Sequence, residues 1–301
     1  MSKQQFEERK FARKTAIVIE QANEIMEEYD TSVSLRQLYY QFVARDLMEN
    51  TIRNYKKLGD IIRNGRMAGL ISWDLLQDRS RSLFGQTTYD DVDDFLSYQY
   101  FRYKENRWKH QDEYVEIWVE KDALSSVVGR AASEYQVNYF PTKGYPSLSS
   151  LKDAADRLIR KNKMGKNVTI LYLSDHDPEG LQMPQSVATN LEQFGADVTV
   201  KRVGLTMEQV RQYRPPASSA KDTSSRFQNY VDETGTTDVW ELDALKPEVI
   251  QDLLRTELEK IVDRRAFNES AEHELIGKEN IRRIGRNHHR ILEFLDSEGL
   301  F

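Results

Sequence analysis

The chain has no cysteine, so a disulfide framework and a thiolate metal site are both excluded. No apolar run approaches the ~20 residues that a bilayer span requires, and no membrane segment is expected. The N-terminal stretch MSKQQFEERKFARK has no apolar region after its charges, so no secretory leader is read there and a cytoplasmic location is expected. No G-x-x-x-x-G-K-[ST] loop occurs, which removes a phosphate-cradling nucleotide site of that kind. There is no internal repeat and no low-complexity tract. An excess of positive charge is missing too. The formal net charge of −6 argues at first against nucleic acid, whose binders displace condensed counterions with a basic surface.

What remains is a chain of 301 residues, 39% hydrophobic and 31% charged, the composition of a globular protein long enough for two domains. The net charge hides an asymmetry. Between Thr31 and Arg81, nine Lys or Arg stand against five acidic residues, and Arg36, Arg53, Lys56, Lys57, Arg63 and Arg66 are the candidates to face a phosphate backbone.

From Phe11 to Tyr29, residues recur at three and four (Phe11, Thr15, Val18, Ala22, Ile25, Tyr29), which predicts an amphipathic helix. Ser34, with Gln37 three positions on, has the form of a capping box and opens a helix to about Arg45; Thr51 is placed to cap a third helix to about Met67. Leu70 to Leu76 (LISWDLL) reads as a short strand or wing. Helix, helix, basic helix and wing suggest a winged-helix module of the helix-turn-helix, CAP-like kind over residues 1–81. After Asp90, Asp91, Asp93 and Asp94 the aromatic-rich stretch has no clear period, so residues 82–112 are expected to be a connector.

Beyond it, strands are expected at 114–119, 137–141, 168–174 and 198–203, with helices at 147–161 and 184–194. This alternation predicts an α/β domain with a mostly parallel sheet covered by helices, spanning residues 113–245. Residues 246–301 read as a charged helical tail. There Lys278, Arg282, Arg283, Arg286 and Arg290 form a solvated face, and His288-His289 is expected to be solvated as well.

The sharpest chemical signal is Asp175-His176-Asp177-Pro178-Glu179-Gly180, directly after the buried strand VTILYLS, where open α/β sheets bind ligands. Asp175 and Asp177 are two apart, so both project the same way in extended backbone, and Glu179 extends the row while His176 points away. Like charges ~4 Å apart repel by ~4 kcal/mol at an effective dielectric of ~20, and hard oxygen donors call for magnesium. A second strand, YVEIWV, also ends in an acid, Glu120. The bland alternative is an acidic surface turn at Pro178-Glu179-Gly180, and Lys121 reads equally well as a solvated lysine.

A tyrosine supplies the other half. Within SLRQLYYQFV, Leu35, Leu38, Tyr39 and Phe42 form the apolar face of a helix, so Tyr39 is expected to be a core aromatic. Tyr40 is rotated about 100° from it and lies four residues after Arg36, which puts a phenol and a guanidinium together on a different, more exposed face. An arginine there can grip a phosphate beside the hydroxyl. Judged on the residues alone, Tyr40 reads more readily as a surface or interface aromatic.

WVEKDAL, TKGYPS and LYLSDHDPEG resemble the three signature stretches of a Toprim domain. That resemblance implies Glu120 as acid/base or metal ligand, Asp175 and Asp177 as magnesium ligands, and Gly144 as the glycine of the second loop. SLRQLYYQFV upstream of it resembles the tyrosine motif of the topoisomerase VI A subunit and the meiotic double-strand-break transesterase family, and WELDALKPE (Trp240 to Glu248) resembles a segment that follows the Toprim core there. The likeness covers about Val33 to Glu248, and the length is nearest the compact Mini-A relatives. It implies a type IIB topoisomerase A-like subunit in which Tyr40, assisted by Arg36, cleaves duplex DNA and forms a 5′-phosphotyrosyl link. It further implies a homodimer in which the tyrosine of one protomer works with the metal site of the other, and a separate ATPase B subunit. Two other readings stay open: a Toprim nuclease that uses water as nucleophile, and a non-catalytic DNA-binding protein.

Overall fold

The computed structural model describes residues 3–29, 32–76, 87–219 and 226–300. Arg79 and Arg81, counted in the basic segment, lie outside them. Contacts divide the chain into two units, one formed by Met1–Arg81 and Val115–Lys260, the other by Ser82–Tyr114 and Ile261–Phe301. The expected connector therefore shares a unit with most of the helical tail.

The first unit opens with α1 (Arg13–Glu27), α2 (Leu35–Ala44) and α3 (Ile52–Met67). They enclose a core that includes Ile19, Ile25, Leu38, Phe42, Leu58 and Ile62. Both expected caps form. Ser34 Oγ accepts the Gln37 N–H at 3.2 Å while Gln37 Oε1 accepts the Ser34 N–H at 2.8 Å, and Thr51 Oγ1 accepts the Asn54 N–H at 3.2 Å, so the first-turn donors are satisfied. Among the described residues the wing is not formed as a ribbon. Leu70 to Leu76 contains no strand, and the pairings around it are single bridges, Val33 with Leu76 and Gln5 with Ala68. Arg66 organises the segment instead: its guanidinium donates to the Trp73 and Leu76 carbonyls and lies 4.7 Å from the Trp73 ring centroid. Side-chain bonds to main chain have taken the place of strand pairing.

α4 (Val92–Arg102) belongs to the second unit. The alternation that follows builds the α/β layer: β1 (Glu113–Val119), α5 (Ser125–Glu134), β2 (Asn138–Pro141), α6 (Leu148–Lys163), β3 (Asn167–Leu173), α7 (Pro178–Gln193), β4 (Thr199–Gly204) and α8 (Met207–Tyr213). The sheet has the order β2-β1-β3-β4, with β1–β2 and β3–β4 parallel. Ile117, Trp118 and Val119 are all fully buried, as a strand covered on both faces requires. α7 starts six residues before the expected position and carries Pro184 in its interior. Proline has no N–H for the Gly180 carbonyl four residues back, and the Ser174 hydroxyl donates to that carbonyl instead, at 2.8 Å. β5 (Ser218–Ser219) and β6 (Asp238–Val239), an antiparallel pair flanking α9 (Phe227–Thr234), and then α10 (Pro247–Glu259) complete the unit.

In the second unit α4 packs on α11 (Arg264–Ser297). Buried Glu274 on α11 pairs with Lys104 at 3.3 Å and Lys278 at 2.8 Å. Among the described residues no helix is long and apolar enough to cross a membrane.

Candidate active site

The ends of β1 and β3 lie side by side. The Glu120 N–H donates to the Leu173 carbonyl at 2.9 Å, and the Asp175 N–H donates to Glu120 Oε2 at 3.1 Å, so the two acid-bearing ends stay joined past the strands. Gly144, at φ +85°, donates its N–H to the Glu120 carbonyl at 3.2 Å and ties the second loop to the same point. Asp177 is the N-cap of α7, accepting the Glu179 and Gly180 N–H groups at 3.0 and 2.6 Å. Gly180 passes so close to the Asp175 carbonyl that a Cβ would collide with it, which is why glycine follows the acidic turn.

A segment whose role the sequence did not expose closes this edge. His176 and Trp240 exchange main-chain hydrogen bonds at 2.8 and 3.0 Å, and the chain continues as Glu241-Leu242-Asp243 across the strand ends. Asp175 Oδ1 accepts the Leu242 N–H at 2.8 Å. Lys121 Nζ lies 2.8 Å from each of Asp175 Oδ2, Glu241 Oε2 and Asp243 Oδ1. From α2, the Arg36 guanidinium joins the same cluster, pairing with Glu241 and, at 3.2 Å, with Asp243. Lys121 is therefore a hub, not a solvated side chain.

Arg36 Nη2 stands 3.4 Å from the Tyr40 hydroxyl, so the expected pair forms. The expected exposure does not: Tyr40 is only 6% exposed, hardly more than Tyr39 at 4%. The face of α2 that carries Tyr40 is covered by the Leu242–Ala244 turn. Arg36, Tyr40 and Glu241 line a cavity of about 300 Å3, together with Tyr39, Tyr55 and Ser218.

No family model, curated protein or solved structure matches this chain.

The electrostatics follow from burial. Glu120, Asp175, Asp177, Glu241 and Asp243 face Lys121, Arg36 and Arg202, so a fully ionised cluster keeps an excess of negative charge. Burial, and then Asp175 and Asp177, push the Glu120 carboxyl up to about 7. Burial also raises Asp175 and Asp243. Glu241 goes the other way: burial opposes it, but Lys121 and Arg36 hold it down at about 2. The Tyr40 phenol is pushed above its ordinary value by burial and next by Glu241, against the pull of Arg36. Arg202, lowered to about 10 by burial, donates to the Asp175 carbonyl at 3.0 Å.

Excess negative charge and all-oxygen donors fit a hard divalent cation. The arrangement is only partly made, because Lys121 occupies Asp175 Oδ2. Among the described residues the trio of acidic or imidazole ligands whose atoms fall within 4.8 Å of one another is Asp93, His288 and His289, not Glu120, Asp175 and Asp177. Magnesium at the sheet edge requires Lys121 to yield Asp175.

The remaining candidates separate. His176 is buried, with Nδ1 3.0 Å from the Leu205 carbonyl and its ring against Tyr230 and Trp240, a structural placement. Glu179 pairs with Arg226. Arg53, Lys56 and Lys57 line a basic cavity of about 540 Å3 with Arg9 and Lys10. Arg63 is exposed beside Asp60 at 3.5 Å, and Arg66 is bound to main chain as described.

Proposed function

We propose that this chain is a DNA-cleaving transesterase of the type IIB topoisomerase A-like kind, in which Tyr40 is the nucleophile and the acidic sheet edge is the magnesium site. The observation that carries this reading is the contact of the Tyr40–Arg36 pair with the Lys121–Glu241–Asp243 cluster at the ends of β1 and β3. A backbone phosphate of duplex DNA entering the cavity beside Tyr40 competes with Glu241 and Asp243 for Arg36, and a bidentate guanidinium–phosphate pair forms.

That exchange also changes Glu241. Relieved of Arg36, its carboxylate regains part of its basicity, with Lys121 still beside it, and can take the phenolic proton. The Tyr40 oxygen then forms the new bond to phosphorus as the bond to the 3′ oxygen breaks, leaving a 5′-phosphotyrosyl link and a 3′ oxygen that takes a proton from water to become a hydroxyl. Magnesium held by Glu120, Asp175 and Asp177 would stabilise charge on the phosphate and the departing oxygen. Lys121, already 2.8 Å from Asp243 Oδ1, stays as the counter-charge of that carboxylate when Arg36 moves. In this reading the protein acts as a homodimer, three helices and their basic cavity supply the winged-helix-like DNA contact, and strand passage draws on a separate ATPase subunit.

The burial of Tyr40 and its raised pKa favour one second reading, a magnesium-dependent hydrolytic nuclease in which water attacks. The two part in a single experiment. End-labelled duplex DNA, protein and magnesium are mixed and the reaction is stopped with detergent. Label that enters the protein band supports transesterification, and cleaved DNA free of protein supports hydrolysis.

A further inference from the structure

The second unit holds a cluster that the proposed cleavage chemistry does not use. Asp93 lies in the first turn of α4, and His288 and His289 are neighbours on α11. Asp93 Oδ1 is 3.0 Å from His288 Nδ1, Asp93 Oδ2 is 3.9 Å from His289 Nε2, and the three ligand atoms all lie within 4.8 Å of one another. Adjacent helical residues diverge by about 100°, yet these two imidazole rings have centroids 3.7 Å apart. Both have turned toward the carboxylate.

We propose that Asp93, His288 and His289 form a binding site for a divalent transition-metal cation of the zinc class, which staples α4 to α11. Zinc holds imidazole nitrogen and carboxylate oxygen at about 2.0–2.2 Å, which in a tetrahedron sets neighbouring ligand atoms about 3.3 Å apart. The three ligand atoms, one from each residue, all lie within 4.8 Å of one another, so a small closing movement of the exposed Asp93 and His289 side chains brings them to that spacing. Two nitrogens and one carboxylate select zinc, copper or nickel over magnesium and calcium, so the site differs in kind from the all-carboxylate sheet edge.

The surroundings suit a structural staple with an open position. The side chains of His288, Asp93 and His289 are 9%, 59% and 77% exposed, so one ligand is fixed by packing while two reach it from the solvent side, where water completes the coordination. His288 Nδ1 also lies 3.1 Å from the Gly285 carbonyl. A bound metal requires Nδ1 to present its lone pair, with the ring proton on the other nitrogen. Asp93 is 195 and 196 residues before the two histidines in sequence, so metal binding at folded ligands stabilises the packed helices over the unfolded chain.

The test uses the full chain, prepared without a histidine tag and stripped with chelator. Zinc chloride is titrated calorimetrically and thermal unfolding is followed, with cobalt(II) absorption reporting nitrogen ligation. One zinc per chain, a raised unfolding temperature, and affinity at least about tenfold weaker in His289→Gln and in Asp93→Asn are expected. His289 is exposed, so its variant leaves the fold intact. Magnesium should not reproduce the effect, and Asp175→Asn with Asp177→Asn should keep it. No saturable zinc binding, or zinc binding unchanged in both His289→Gln and Asp93→Asn, would overturn the site. Zinc binding lost in the sheet-edge variants but kept in His289→Gln would place the ion at the other cluster and also overturn it.

Discussion

Replacing Glu120 by glutamine should stabilise the metal-free protein, and the gain should depend on pH. The folded chain holds the Glu120 carboxyl at about 7, against about 4.3 when unfolded. A proton that binds more tightly in the folded state favours folding at low pH, and that advantage is lost as pH rises from the unfolded value through 7. At about 1.4 kcal/mol per unit the full shift corresponds to about 4 kcal/mol. Partial exposure and coupling to Asp175 and Asp177 reduce this to about 2 kcal/mol. A glutamine carbonyl still accepts the Asp175 N–H now bonded to Glu120 Oε2 and carries no charge. In chelator at about pH 8, Glu120→Gln should therefore unfold about 4–8 °C above the parent, and at about pH 4 the two should coincide. Magnesium should raise the parent at the higher pH more than the variant. A variant no more stable than the parent at high pH, or equally shifted at both, would refute the claim that Glu120 is a half-buried carboxylate crowded by Asp175 and Asp177.

Gly180→Ala ought to destabilise by about 1–3 kcal/mol in denaturant titration despite alanine's better helix propensity, because its Cβ meets the Asp175 main chain; unchanged stability would remove that contact. Tyr39→Phe is expected to cost about 1–3 kcal/mol, since the Tyr39 hydroxyl accepts the Thr51 N–H at 2.7 Å and donates to the Thr51 carbonyl at 2.8 Å. Equilibrium unfolding should show Tyr40→Phe costing less than about 1 kcal/mol, and the reverse order would contradict the hydrogen bonds described. Lys56→Gln with Lys57→Gln should lower the slope of log affinity against log salt for duplex DNA by about 2; an unchanged slope would take the basic cavity out of the DNA surface.

The elements that local chemistry determines were legible in the sequence. Ser34–Gln37 and Thr51 announced two helix starts, and the apolar runs ending at Glu120 and Ser174 announced the adjacent strands of a parallel sheet. Features made by distant partners were not. Tyr40 looked exposed because helical phase says nothing of a cover supplied by Leu242–Ala244, some 200 residues on. Lys121 leaves two readings open in the sequence, site residue or solvated lysine, for the same reason, since its partners Glu241 and Asp243 arrive only when Trp240 pairs with His176. The Leu70 to Leu76 segment read as a strand because its apolar pattern is a strand's, while its order comes from the Arg66 side chain. α4 gave no period because none of its residues is buried. His288 reads as solvated beside its neighbour because the sequence does not show Asp93, 195 residues earlier, packed against it.

The central claim is that Tyr40 becomes covalently joined to DNA. Parent protein and Tyr40→Phe are each incubated with magnesium and end-labelled duplex DNA, quenched in detergent and digested, and the linked peptide is sequenced by mass spectrometry. A nucleotide attached through a 5′ phosphate to Tyr40 in the parent, and no adduct in the variant, is the predicted result. An adduct on another residue, an adduct that survives Tyr40→Phe, or cleavage that leaves no protein attached would contradict it.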